Sequence, residues 1–183
     1  MNYILTKRKD YFEKIDNYNF CELYSLINLP EKIAVDTETT GLNFLKDDMF
    51  CMQIGDGNNN YLIDLETIEF KNIIPILENK TLVFVNAVFD LKFFYKNNFF
   101  PEKVRDAMIA SQILYNGDTS IFNHGFKYLM ERELKIVYDK TEQANIHVNK
   151  IGNKSAIQYC FNDVDKLLEL EDIIFKKLEE YKA

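Results

Sequence analysis

The sequence has no tryptophan and, among its 183 residues, only two histidines, three cysteines, three prolines and six glycines. With His124 and His147 alone, a histidine-rich metal centre is excluded. Cys21, Cys51 and Cys160 are odd in number, far apart and form no Cys-x-x-Cys pair, which excludes a zinc knuckle and a disulfide framework and points to a reducing interior. No stretch approaches the ~18 consecutive apolar residues that span a bilayer. The opening MNYILTKRKDYFEKID has no apolar core of signal-peptide length. A cytoplasmic setting with no membrane partner is therefore expected. Cationic side chains are also in deficit: Lys and Arg number 22 against 29 Asp and Glu, a net charge of −7. That balance argues against a polybasic binder whose affinity comes from neutralising phosphates. Any nucleic acid would have to be met at a local site, with help from cations.

What is present is enough for a core, with 47% hydrophobic and 14% aromatic residues. At roughly 150 residues per domain the length suits one domain and leaves no room for a multidomain polymerase or motor. The pattern suggests a helical arm over residues 1–30, with a helix around Tyr11 to Ile27 ending before Pro30, then a single domain over 31–183. KIAVDTET reads as a strand, with Ile33, Val35 and Thr37 alternating with Ala34, Asp36 and Glu38. Met49–Gly57 and Asn60–Leu65 flank a Gly/Asn-rich turn and read as a hairpin. Helical periodicity over Glu66–Asn79 is interrupted by Pro75. Thr81–Val85 is a short buried strand, Ala87–Asn97 a helix, and Val104 marks another short strand. Met108–Leu114 and Asn123–Leu134 read as helices, Ile136–Asn153 as irregular, and Lys154–Tyr181 as one long helix. The expected class is α/β: a mixed five-stranded sheet, three antiparallel strands followed by parallel ones, flanked by helices.

Three constellations carry chemistry. Asp36 and Glu38 are two apart on a strand, so they share a face beside the Gly41 turn. Carboxylates held that close repel unless a cation bridges them, and hard divalent ions take such oxygen ligands. An acidic strand end in solvent is the alternative. Asn86 and Asp90 are four apart at the start of a helix that follows a buried strand, where ligand sites gather in α/β sheets. Taken alone, the pair is better read as a plain N-cap and a solvated Asp near a helix N-terminus. Tyr159 and Asp163 share a helical face, with a core tyrosine and a surface aspartate as the alternative. Asp165 competes with Asp163, but its partner one turn earlier, Phe161, cannot orient water.

In this order the three motifs resemble the DEDD superfamily of 3′→5′ exonucleases, over about Lys32 to Ile174. Gln158 stands where the histidine subgroup needs His, so the resemblance is to the tyrosine subgroup, and within it to the proofreading domain of bacterial family-A DNA polymerases. Arg105-Asp106-Ala107-Met108 with Ser111–Leu114, and the helix NHGFKYLMEREL, are similar to segments of that domain. Val85 and Ala107 depart from it. The resemblance implies an RNase H-like sheet and two divalent cations, Mg²⁺ or Mn²⁺, about 3.5–4 Å apart. Asp36, Glu38, Asp90 and Asp163 would be their ligands, with Asp90 acting partly through water, and Tyr159 would orient the attacking water. A free tyrosine titrates near ~10, which favours orientation over proton removal. Thr39, Leu42 and Asn86 would contact the terminal nucleotide, with Leu42 wedged against its base. Phe89 and Phe93 are candidates for base stacking or for the core, and Lys150 and Lys154 for phosphate contacts or solvated charges. The implied activity is a stand-alone exonuclease that releases nucleoside 5′-monophosphates from single-stranded DNA 3′ ends. It would be a monomer beside a separate DNA polymerase chain, in the cytoplasm of a bacterial cell or phage-infected host. The other readings are an exoribonuclease of the RNase D kind and a non-catalytic replication-associated binding module.

Overall fold

The computed structural model describes residues 1–137 and 146–182. Strands β1 (Asn2–Leu5), β2 (Asn19–Phe20), β3 (Lys32–Thr39), β4 (Met49–Gly55), β5 (Asn60–Asp64), β6 (Thr81–Phe84) and β7 (Lys103–Asp106) form one sheet in the order β2-β1-β5-β4-β3-β6-β7. β3, β4 and β5 are antiparallel neighbours, while β6 and β7 continue parallel to β3. This is the expected mixed core. The strand count is corrected from five to seven, because β1 joins β5 in parallel and β2 joins β1.

The residues expected as a helical arm are thus woven into the sheet. Helix α1 is short (Lys9–Glu13), and Leu23–Leu26 is a single 3₁₀ turn. Two causes outweigh the helical pattern there. Ile4, Leu5, Phe12 and Leu26 are all buried, at roughly 2 kcal/mol each. The Arg8 guanidinium also forks onto the buried Asp64 carboxylate at 2.8 and 2.9 Å, with Thr6 Oγ1 donating to the same group at 2.7 Å.

Side chains divide between two layers. On one face Phe84 and Ile33 meet Phe94 of α3 (Ala87–Lys96), with Phe70 and Phe99 beside it. The residues expected to form a helix before β6 give only a 3₁₀ turn and α2 (Ile74–Leu77), which Pro75 opens at a position where its missing N–H costs nothing. On the other face lie α4 (Ala107–Leu114), α5 (Phe126–Leu129), α6 (Ile146–Asn149), α7 (Lys154–Asp165) and α8 (Leu167–Lys182). α5 runs into a wide π turn at Met130–Leu134. The single long C-terminal helix of the sequence reading breaks at Lys166, whose φ is −116°. The break lets α7 lie across β3–β5 while α8 turns to pack on α4 and β6. Of the segment read as irregular, residues 138–145 lie outside the described residues.

Candidate active site

β3 is buried along most of its length, with alternate residues facing opposite layers. Ala34, Asp36 and Glu38 therefore share the face covered by α7, opposite Gln53 and Cys51 of β4. A register shift between Glu38 and Thr39 leaves one last pair, Thr39 with Met49, before the chain turns into the 40–48 loop. That loop is closed by Thr40 N–H donating to Asp48 O (2.9 Å) and Asp48 N–H donating to Thr40 Oγ1 (3.1 Å). Lys96 pins it to α3 through Asp47 O and Asp48 Oδ1. Leu42, at its tip, is 86% exposed.

α7 begins at an Asn153 cap, whose side chain accepts from Ala156 N–H at 2.8 Å. The helix lies close on the sheet: a methyl group added at Gly55 would come within 2.7 Å of the Val164 carbonyl. This approach brings Asp163 to β3, so that ligand oxygens of Asp36, Glu38 and Asp163 all lie within 4.8 Å of one another. Glu38 and Asp163 are buried and Asp36 is half-buried. Tyr159 stands one turn before Asp163 on the same face, hydrogen-bonded to it. Burial first, then the charges of Asp163, Glu38 and Asp36, push its phenol well above the usual range. Beneath these groups Cys51 and Cys160 contact each other, and burial raises both thiols.

Asp90 reaches the site from the other layer. Thr37, between Asp36 and Glu38, faces α3 and donates to Asp90 Oδ1 at 2.6 Å. Burial raises the Asp90 carboxyl to about 7, against the lowering effect of that hydrogen bond. The four expected ligands are thus split: three converge, and Asp90 stands outside their cluster while lining the same cavity of about 710 Å³. A set of carboxylate oxygens alone, without thiolate or imidazole, suits a hard divalent cation.

Thr39, Leu42 and Asn86 also line this cavity. Thr39 Oγ1 donates to Gly41 O at 2.7 Å, so its hydroxyl holds the loop. Asn86 is exposed and left-handed (φ 68°), a conformation that Asn tolerates better than most residues. Phe89 lines the cavity, whereas Phe93 is core, 1% exposed. Lys150 and Lys154 are paired with Glu66 and Asp16. The sequence reading missed Thr37, Phe126, Ile146 and His147 on the cavity wall. Only Thr37 carried a signal, since alternation points it away from Asp36 and Glu38 and toward the layer that holds Asp90.

Among the described residues no helix is long and apolar enough to cross a membrane. Residues 8–179 match the 3′-5′ exonuclease family. The chain is 32% identical over 139 residues to DNA polymerase I of Aquifex aeolicus, an alignment covering 75% of this chain and 22% of the polymerase. In fold it is similar to Brucella melitensis NrnC (TM-score 0.74, 22% identity, 99% of this chain and 83% of that one). It is also similar to Escherichia coli RNase D, an exoribonuclease (TM-score 0.75, 21% identity, 98% and 46%). With the DEDD carboxylates and the tyrosine in order, the chain belongs to the 3′-5′ exonuclease family and resembles the proofreading domain of polymerase I.

Proposed function

We propose that the chain removes nucleoside 5′-monophosphates one at a time from single-stranded DNA 3′ ends, using two divalent cations, Mg²⁺ or Mn²⁺. The observation that carries this reading is the convergence of Asp36, Glu38 and Asp163 within 4.8 Å, in a cavity that Tyr159, Asp90, Asn86 and Leu42 also line. Asp36, Glu38 and Asp163 would hold one cation and share the second with Asp90. When bound, the cations supply Lewis acidity on both sides of an in-line displacement at phosphorus. The chain's own groups do the positioning. Protonated Tyr159 holds the attacking water by hydrogen bonding. Asn86 and the loop held by Thr39 fix the terminal nucleotide, and Leu42 stacks against its base. Water adds to phosphorus, the bond to the 3′ oxygen breaks, and that oxygen leaves protonated on the shortened strand. The partner proposed is a separate DNA polymerase chain, supported by the identity to polymerase I, with this chain acting as a monomer.

The alternative substrate is RNA, supported by the fold likeness to RNase D, an exoribonuclease, and to NrnC bound to pGG. Digestion of matched DNA and RNA oligonucleotides, labelled at either end and with varied metals, decides between them. Mononucleotide release from DNA 3′ ends is expected; faster RNA digestion would favour the alternative. Tyr159→Phe is expected to slow turnover about 100-fold, the order of loss for a misplaced nucleophile. Unchanged turnover would remove Tyr159 from the mechanism.

A further inference from the structure

Asp106 is absent from the chemistry above, yet it ties β7 to two helices, α3 and α4, that line the cavity. It ends β7 and is 9% exposed. Its Oδ1 accepts from Met108 N–H (2.8 Å) and Ile109 N–H (3.3 Å), capping α4. The same oxygen accepts from Asn86 N–H (3.1 Å), and Oδ2 accepts from Ala87 N–H (2.8 Å). One carboxylate thus holds the first amides of two helices on neighbouring parallel strands. α4 needs only an ordinary cap, which one oxygen supplies. The second set of bonds goes to the β6–α3 turn, where Asn86 is held left-handed and has no side-chain cap of its own. That turn sets the height of α3, and so of Asp90, against Thr37 and the carboxylate cluster. Met108, the second residue of α4, is on the wall of the same cavity.

We propose that Asp106 is a positioning residue that sets where Asp90 and Asn86 stand relative to Asp36, Glu38 and Asp163. Its part is to make the cation set held partly by Asp90 complete, beyond stabilising the fold. The inference rests on the exonuclease reading for its kinetic consequence but has a readout of its own.

The test separates the two halves of the bridge. Asp106→Ser keeps an N-cap for α4 and is too short to reach the Asn86 and Ala87 amides. Asp106→Asn keeps one acceptor oxygen of the two. Mn²⁺ titration by calorimetry is expected to show the weaker cation-binding step reduced at least about tenfold in Asp106→Ser and less in Asp106→Asn. Amide hydrogen exchange at Ala87 should accelerate in step with that loss. On oligonucleotides, kcat should fall more than KM rises. Glu171→Gln, which loosens the Lys32 and Arg105 ties of α8, should lower the thermal midpoint and leave the Mn²⁺ isotherm unchanged. Serine and asparagine variants that bind Mn²⁺ and turn over like the wild type, per folded molecule, would overturn the proposal. So would loss of Mn²⁺ affinity in Glu171→Gln equal to that in the Asp106 variants. If the wild type binds Mn²⁺ and digests nothing, the exonuclease reading fails while the cation and exchange arms still decide the role of Asp106.

Discussion

Acids in this molecule are held in two opposite ways, one fully buried and paired, the others crowded against one another. Asp64, fully buried at the end of β5, is met by Arg8, Thr6 and Thr67 on its oxygens. Its charge is compensated on the spot, and the compensation fastens the N-terminal strands to the sheet. Asp36, Glu38 and Asp163 instead crowd one another from two elements, and Asp90 across the sheet has a hydroxyl from Thr37 on its Oδ1. Like charges so arranged cost stability and gain affinity for a cation. The same residue type therefore fastens the fold in one place and binds in the other.

The contrast can be broken by exchanging what each group loses. Asp36→Ala is expected to lower oligonucleotide hydrolysis at least about 1,000-fold, some 4 kcal/mol of transition-state stabilisation. The metal-free thermal midpoint should stay level or rise, because a repulsion has been removed. A midpoint lowered by several degrees would show that the cluster is structural. Arg8→Met should do the reverse. Leaving Asp64 buried without its guanidinium is expected to cost about 3 kcal/mol, a fall of about 6–12 °C in the midpoint for a chain of this size. Turnover per folded molecule should not change.

Mg²⁺ sharpens the comparison. At a concentration 100 times its dissociation constant it should stabilise the wild type by about 2.7 kcal/mol, read as a rise in midpoint. Glu38→Gln should lose most of that rise, and Arg8→Met should keep it; equal responses would erase the distinction. The smallest effect is expected at Leu42→Ala. There the stability is untouched and KM for single-stranded DNA rises about fivefold, near 1 kcal/mol of lost apolar contact.

What the sequence made legible follows from range. β3 and the β4–β5 hairpin announce themselves by alternation and by one glycine turn. The motif residues of β3 and α7 are spaced within single elements, so their faces could be assigned from period alone, whereas Asn86 stands before α3 in a left-handed turn and shares no helical face with Asp90. β1 has four residues and β2 two, too few for any period. Their placement depends on partners far along the chain, such as Asp64 for Arg8. The kink at Lys166 involves no proline or glycine, and it follows from the two parts of one layer that the helices must fill, α7 on β3–β5 and α8 on α4 and β6. The split of the four carboxylates was beyond local reading for a related reason. Asp90 lies on the opposite layer, and only the register of β3 brings Thr37 to it. Lys150 and Lys154 sit near the third motif in sequence, but their ion pairs with Glu66 and Asp16 depend on long-range folding.

The contact of Gly55 with Val164 bears on which ions the carboxylates would accept. Gly55 lets the Val164 carbonyl come down on the strand with no side chain between, and Val164 is the neighbour of Asp163. The gap between helix and sheet is therefore fixed by main chain against main chain, which yields far less than a side chain would. A carboxylate carried on such a frame has little freedom to retreat. Ligand distances near 2.0–2.1 Å suit Mg²⁺, whereas Ca²⁺ needs about 2.3–2.6 Å and more donors. Any selection among cations by radius would then depend on a position that offers no ligand atom, and Gly55→Ala is expected to shift relative Mg²⁺ and Ca²⁺ affinity, read by calorimetry.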